Sequence, residues 1–405
     1  MHDFREPRPN QLVINFFRMI SPFWLRFREN LSVTIRAKKE TLSAFKKSKR
    51  AVIILNHPDR QDPFAIFKLA DQLNELFYCI VARECFDWDG GWRGWLFQRL
   101  GCYSVARGKA DFHSIGVTKK ILLEGRRKLV VFPEAEITAD YEELHHMQKA
   151  IFHIVLDSQQ DLDEGKHENS NGPIFIIPAA IKFDLKDKLA EAVEPALAKI
   201  EKHLDISAPE KPDSNNETTL ARIDRVIYQY LSRVFRSYGF EKPEGTLDKL
   251  AEQAADSILR KIISTNRIAF DDKPSLIERL YSVRNHTEGD LEIDSVAIEP
   301  HSFHCAGVPK PSLRSDFERI ERLLILERML IHRETEIQKC RILDFIESEM
   351  TGLITPKGRQ SCTISPCEPI DVSKFVGQYA ESKTAAVNAL REHCRKTLQE
   401  KLNEV

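Results

Sequence analysis

The stretch Ala51-Val-Ile-Ile-Leu-Asn-His57-Pro-Asp-Arg-Gln-Asp62 decides the reading of this chain. Five apolar, mostly β-favouring residues stop at Asn56-His57-Pro58, which reads as a buried strand followed by a turn. Pro63 suits the first turn of a helix, and Asp62 before it suits an N-cap. His57 is therefore expected just past the C-terminal end of a strand, with Asp62 opening the next helix. Open α/β sheets carry their sites at that edge. The pair reads as a general base, His57, with Asp62 as its partner. The bare His-x4-Asp spacing is weak, because with 13 histidines roughly one such pair arises by chance. Position and neighbouring motifs must carry the rest.

Outward from this stretch, residues 51–185 alternate. Strand-like runs are expected at 51–55, 78–82, 128–132 and 174–178, and helices at 63–74, 92–99, 111–125 and 142–157. The rhythm predicts an α/β fold with a mostly parallel sheet covered by helices. Residues 159–173 are polar and read as a loop. From 186 to 357 helical periodicity dominates: Val226, Ile227, Tyr230, Leu231 and Val234 fall on one face, and Ser315 with Glu318 suggests a capping box for one long helix to about Met350. Loops are expected at 208–217, 271–275 and 284–293. From 358 to 405 the strand-turn-helix pattern returns, with a strand at 361–365 and a helix from Ser373. The first domain is thus expected to resume there, making 186–357 a large all-helical insertion.

Residues 1–50 hold twelve Lys/Arg against four acids, a local charge of +8. Within them Leu12–Phe27 is rich in Phe, Ile and Trp, interrupted by Arg18 and Pro22. Such a basic amphipathic segment is expected either to lie in a membrane interface or to pack on the domain with its arginines in water. The whole chain of 405 residues is 42% hydrophobic and 30% charged, with net charge −1. That fits a folded protein of two or three domains and argues against a general nucleic-acid binder. Eight scattered cysteines without a Cys-x-x-Cys pair read as reduced thiols in a cytoplasmic setting. Neither a signal peptide nor a membrane-spanning run is expected. His301, His304 and Cys305 invite a zinc reading, but a fourth ligand at useful spacing is missing, so neither metal nor cofactor is expected.

Three further stretches accompany His57 and Asp62: Gly101-Cys-Tyr-Ser-Val-Ala-Arg107-Gly108, Leu129-Val-Val-Phe132-Pro133-Glu134 and Ile176-Ile-Pro178-Ala-Ala-Ile181. In this order they resemble the glycerolipid acyltransferases, the 1-acyl-sn-glycerol-3-phosphate acyltransferases of the lysophospholipid acyltransferase superfamily. His57 and Asp62 match that family's His-x4-Asp motif. Gly101 and Arg107 match its second block, whose arginine binds acceptor phosphate. Phe132, Pro133 and Glu134 match the start of its acceptor-holding third block, Pro178 the fourth, and Glu368-Pro369-Ile370 its last strand-turn. The third block departs from the pattern: Ala135, Glu136, Ile137 and Thr138 replace Gly-Thr-Arg-Ser, so both glycine and arginine are lost. Arg83 stands where the family often has lysine and is expected to compensate.

The resemblance implies acyl transfer from acyl-CoA or acyl-carrier protein to a lysophospholipid hydroxyl, first of all that of 1-acyl-sn-glycerol-3-phosphate, in phospholipid biosynthesis. The expected setting is cytoplasmic and peripheral to a membrane surface. Expected roles are base for His57, orienter for Asp62, and contacts to the acceptor or its phosphate for Arg107, Glu134, Pro133 and Arg83. Rival readings are a different lipid acceptor, a non-catalytic lipid-binding or scaffold protein of the same fold, and a thioester hydrolase. No Gly-x-Ser-x-Gly elbow offers a protein nucleophile.

Overall fold

The computed structural model describes residues 4–167, 172–207, 216–241, 243–268, 273–287, 295–297 and 313–405. The His301, His304 and Cys305 cluster lies outside them, as do most of the loops expected at 208–217 and 284–293. The chain divides into two compact units, Met1–Phe183 with Ser361–Val405, and Asp184–Gln360.

The first unit begins with α1 (Gln11–Phe27), β1 (Leu31–Ile35) and α2 (Lys39–Lys47). The alternating core follows: β2 (Ala51–Leu55), α3 (Asp62–Leu73), β3 (Tyr78–Ala82), α4 (Trp92–Leu100), β4 (Cys102–Val105), α5 (Phe112–Glu124), β5 (Leu129–Val131), α6 (Ala150–Asp163) and β6 (Phe175–Leu185). In the helical unit come α7 (Leu189–His203), α8 (Asn216–Ser237), α9 (Leu247–Thr265), α10 (Leu276–Thr287), α11 (Leu313–Ile331) and α12 (Glu336–Thr351). The chain ends with β7 (Gln360–Pro366), β8 (Ile370–Asp371), α13 (Val376–Glu381) and α14 (Lys383–Glu404).

Eight strands among the described residues form one sheet, in the order β1-β7-β6-β2-β5-β3-β4, with β8 also on β6. The pairs β2–β5, β2–β6, β3–β4 and β3–β5 are parallel and β6–β8 is antiparallel. This is the α/β fold with a mostly parallel, helix-covered sheet. Central β2 is buried throughout, as its unbroken apolar run demands of a strand covered on both faces. One core layer joins Val52, Ile54, Leu129 and Ile176 to Phe152, Val155 and Leu156 of α6 and Leu390, Leu398 and Leu402 of α14. Arg50, counted among the basic N-terminal residues, is buried, and its guanidinium donates to the carbonyls of Leu122, Leu123 and Gly172. It satisfies the C-terminal end of α5 instead of facing water.

Several expected boundaries shift. The helix expected at 142–157 is α6, from Ala150 to Asp163, so it takes in part of the expected polar loop at 159–173. Residues 133–149 are irregular instead. Asp140 Oδ1 accepts from the backbone N–H groups of Glu142 and Glu143, which diverts them from a helical ladder. The strand expected at 174–178 runs on to Leu185, through Pro178. Pro178 has no N–H to give, and its carbonyl accepts from the Cys367 amide at 2.8 Å. The single long helix expected from Ser315 is two, α11 and α12. The capping box lies at Thr335 and Gln338, which open α12, while Ser315 lies inside α11. Strands β1 and β4 had no counterpart in the sequence reading. The core of the helical unit gathers Leu197, Val226, Tyr230, Leu231, Ile258, Ile320 and Ile346, among others.

Candidate active site

Parallel register builds the site. Ile54 of β2 lies opposite Val131 of β5, so the residues that follow, His57 and Glu134, leave the sheet side by side. Asn56 is locked first: its side-chain amide donates to Ile181 O and accepts from Ile181 N, both at 2.8 Å, pinning the end of β2 to β6. His57 then stacks on Phe132, with ring centroids 4.2 Å apart and planes 23° from parallel. Its N–H donates to Glu134 Oε2 at 2.7 Å, and its carbonyl accepts from Thr138 N at 2.9 Å. The ring is held in plane and the backbone on both sides.

His57 Nδ1 lies 2.7 Å from Asp62 Oδ2, and the Asp62 side chain is fully buried. An ionised carboxylate only accepts, so Nδ1–H donates and Nε2 carries the lone pair. Asp62 is not the N-cap. Gln61 takes that position, and Asp62 is the first residue of α3. Its Oδ2 instead also accepts from the Asp59 N–H at 3.1 Å. Asp59 in turn accepts from Gln61 N at 2.9 Å and from the Tyr141 hydroxyl at 2.6 Å. The loop 56–62 is thus fastened by its own acids.

The His57 side chain remains 20% exposed. Burial dominates its protonation and draws the imidazole down from the ordinary 6.5 to about 4, against the neighbouring carboxylates of Glu134, Asp59 and Glu136. The ring is therefore neutral near neutrality.

Glu134 does not present an open carboxylate. It is buried; Oε2 takes the His57 N–H and Oε1 the His145 N–H at 2.8 Å. Burial raises its pKa above the carboxylate norm, and the two N–H bonds oppose the rise. These two bonds brace two loop segments against each other. Pro133 is buried beside it and accepts from Gln148 N at 2.7 Å. Ala135 keeps φ at +65°, the left-handed conformation, at the position where the resembling family has glycine. The backbone turn of the third block survives the substitution.

Arg83 and Arg107 leave the same sheet edge, since Ala82 of β3 lies opposite Val105 of β4. Each is engaged by a carboxylate of the short 3-10 stretch Arg83–Gly91: Arg83 by Asp87 at 3.0 Å, and Arg107 by Glu84. Both expected phosphate contacts are therefore ion-paired, and an anionic ligand competes with Glu84 for Arg107. Gly101 ends α4 at φ +97°, and a Cβ there meets the Phe77 carbonyl at 3.0 Å, so glycine is required. Pro178 sits in register with Ile54 inside the sheet and holds strands, not ligand.

Sequence reasoning missed three participants: Phe132 as the floor of the ring, Tyr141 on Asp59, and Glu29. Glu29 Oε2 accepts from Gln61 Nε2 at 2.7 Å and lies 3.7 Å from Arg60. It ties the segment after α1 to the His57 loop. No short motif announces such a contact across 32 residues.

Comparison with curated proteins gives no significant match. Residues 36–182 match the family model described as Acyltransferase. That span runs from the end of β1 into β6 and holds the His57–Asp62 pair, the Arg107 segment and the Glu134 loop. Through these residues the chain carries a domain of the acyltransferase family.

Proposed function

We propose that the protein moves a fatty acyl group from the thioester of acyl-CoA or acyl-carrier protein to the hydroxyl of a lysophospholipid, with His57 as base. The observation that carries this reading is the His57–Asp62 pair at the end of β2, with Nδ1 2.7 Å from the carboxylate, an arrangement that leaves Nε2 to take a proton. The acceptor O–H gives its proton to Nε2, and its oxygen attacks the thioester carbonyl. The resulting imidazolium is stabilised by Asp62, as in a Ser-His-Asp triad with substrate in place of serine. The C–S bond then breaks, and the leaving thiolate takes the proton back from Nε2.

1-Acyl-sn-glycerol-3-phosphate is the first acceptor to test. Ile137 in place of arginine and Glu84 on Arg107 make lysophospholipids with other headgroups the necessary comparison. The decisive assay follows thioester turnover by wild type and His57→Ala with these acceptors and with water alone. Transfer to an acceptor that His57→Ala loses by a factor of roughly 10³ or more supports the mechanism. Equal transfer by the variant refutes it. Turnover without acceptor identifies a hydrolase, and no turnover by either protein identifies a non-catalytic lipid-binding protein.

A further inference from the structure

The two arginines at the sheet edge arrive with acids of their own. Arg83 and Arg107 leave β3 and β4 at the same edge from which His57 leaves β2, because these strands and β5 run parallel. In the order β2-β5-β3-β4, with neighbouring strands about 4.8 Å apart, they start about 10 and 14 Å along the edge from His57. An arginine side chain and a glycerol phosphate together bridge such gaps. Glu84 pairs with Arg107, and Asp87 lies 3.0 Å from Arg83 and 3.9 Å from Arg5. The side chains of Arg83, Glu84 and Arg107 are 16–26% exposed, so water screens these charges only in part. The acids are also held in place. They sit on the 3-10 stretch Arg83–Gly91, against which α4 packs so closely that a Cβ at Gly94 collides with the carbonyl of buried Phe86.

The third block tips the balance the same way. Ile137 stands where the resembling family has arginine, and Glu136 beside it joins Glu134 and Asp59 among the carboxylates that act on His57. Relative to that pattern the site has lost a cation, and both of its sheet-edge arginines are matched by acids. A phosphomonoester carries nearly two negative charges near neutrality, since its second ionisation lies at about pH 6. A phosphodiester carries one. Either must share Arg107 with Glu84, but the second charge of the monoester then faces a fixed carboxylate in a partly desolvated site, where like charges repel strongly. We propose that the acceptor is a lysophospholipid whose headgroup is joined through a phosphodiester, and that Glu84 sets this choice by opposing the second charge of a phosphomonoester. This acceptor class rests on the lysophospholipid reading given above, yet it is tested by binding, without turnover.

The test is calorimetric titration of the full chain with monomeric short-chain acceptors at about pH 7.5, where the monoester is almost fully doubly charged. The probes are octanoyl lysophosphatidic acid, lysophosphatidylglycerol and lysophosphatidylethanolamine. Wild type is compared with Glu84→Gln and with Glu84→Asp, which keeps the charge, and circular dichroism and thermal midpoints verify the fold. Wild type is expected to bind both phosphodiesters about tenfold more tightly than the monoester. Glu84→Gln frees Arg107 and is expected to tighten the phosphodiesters about threefold and the monoester about thirtyfold, which erases the difference. Glu84→Asp is expected to keep the wild-type order. Equal or tighter binding of the monoester by wild type overturns the proposal, as does an order unchanged in Glu84→Gln or lost equally in Glu84→Asp. Failure of wild type to bind any of the three overturns it too. Selective phosphodiester binding without acyl transfer from a thioester supports this acceptor class and refutes the transfer reading alone.

Discussion

At His57 the pKa sets the chemistry. An imidazole drawn down to about 4 by burial is neutral from pH 6 to 8, so the proposed base is ready without prior deprotonation. The profile of kcat/KM is therefore expected to be flat over that range, with its acid limb near pH 4. A limb near 6.5 would show an ordinary, solvated histidine. Stability sets a second requirement. Because the folded value lies below the unfolded one, the chain takes up a proton on unfolding between pH 6.5 and 4. The His57 contribution is complete above 6.5 and is lost as pH falls through that window, so the acid limb must be read against a folded control. Asp62→Asn keeps the shape but not the carboxylate that accepts from both Nδ1 and the Asp59 N–H. It is expected to lower kcat by roughly 10⁴ with little change in KM, the magnitude known for the same change in a Ser-His-Asp triad. Ala135 carries a different cost. Its Cβ at φ +65° strains the turn by about 1–2 kcal/mol, partly offset by the lower entropy of alanine in the unfolded chain. Ala135→Gly is expected to stabilise by about 0.5–1 kcal/mol, read as a rise in thermal midpoint of a few degrees.

Among the elements, the segment between β5 and α6 separates what the sequence made legible from what it did not. β2 and β5 were readable because a strand buried on both faces is written as a continuous apolar run, and α3 because Pro63 announces its first turn. Residues 133–149 were not readable. Their composition suits a helix, yet Asp140 takes the Glu142 and Glu143 amides, Glu134 takes that of His145, and the Gln399 side chain of α14 takes that of Leu144. Such partners lie up to 255 residues away, and local propensity carries no trace of them. In the same way the positions of His57, Asp62 and Glu134 were legible, but the work of Glu134 was not, since an acid at a strand end looks alike whether it meets a ligand or its own backbone. Glu134→Gln separates the two roles. The amide offers one acceptor where two N–H groups need partners, leaving one buried donor unmet at about 1–3 kcal/mol. A bracing role predicts lower stability and a kcat at least about tenfold lower, with acceptor KM nearly unchanged, because a displaced base loses rate steeply. A direct acceptor contact would instead raise KM in a stably folded variant.

On the scale of the whole molecule, each compact unit has its own core, and the two solve the problem of buried polarity differently. The sheet unit buries acids that hold backbone amides around His57. The helical unit buries ion pairs. Arg319 and Glu349, both fully inaccessible, pair with each other between α11 and α12, while Glu349 also accepts from the Tyr230 hydroxyl at 3.0 Å and pairs with Arg322 at 2.6 Å. Helical periodicity made the apolar faces of this unit legible but not this pair, because a charged residue on a buried face is recognised only once its partner's helix is in place. The attraction between such charges is offset by the cost of removing them from water, so breaking the pair and deleting it have opposite consequences. Arg319→Met strands Glu349 in the core with Arg322 as its remaining cation, and is expected to cost the helical unit about 3–5 kcal/mol. Arg319→Met/Glu349→Leu removes both charges and leaves Arg322, which is partly exposed, with Ser348 and solvent. The double variant is expected to regain most of that loss, giving a large coupling in a double-mutant cycle followed by denaturant unfolding. Additive losses would mean that the two charges are stabilised independently by their other partners. Since Tyr230 binds Glu349 and packs edge-on against Phe345 at 6.0 Å, Tyr230→Phe isolates the hydroxyl. Its expected cost is about 1–2 kcal/mol in wild type and near zero in the double variant, where no carboxylate remains to receive the bond.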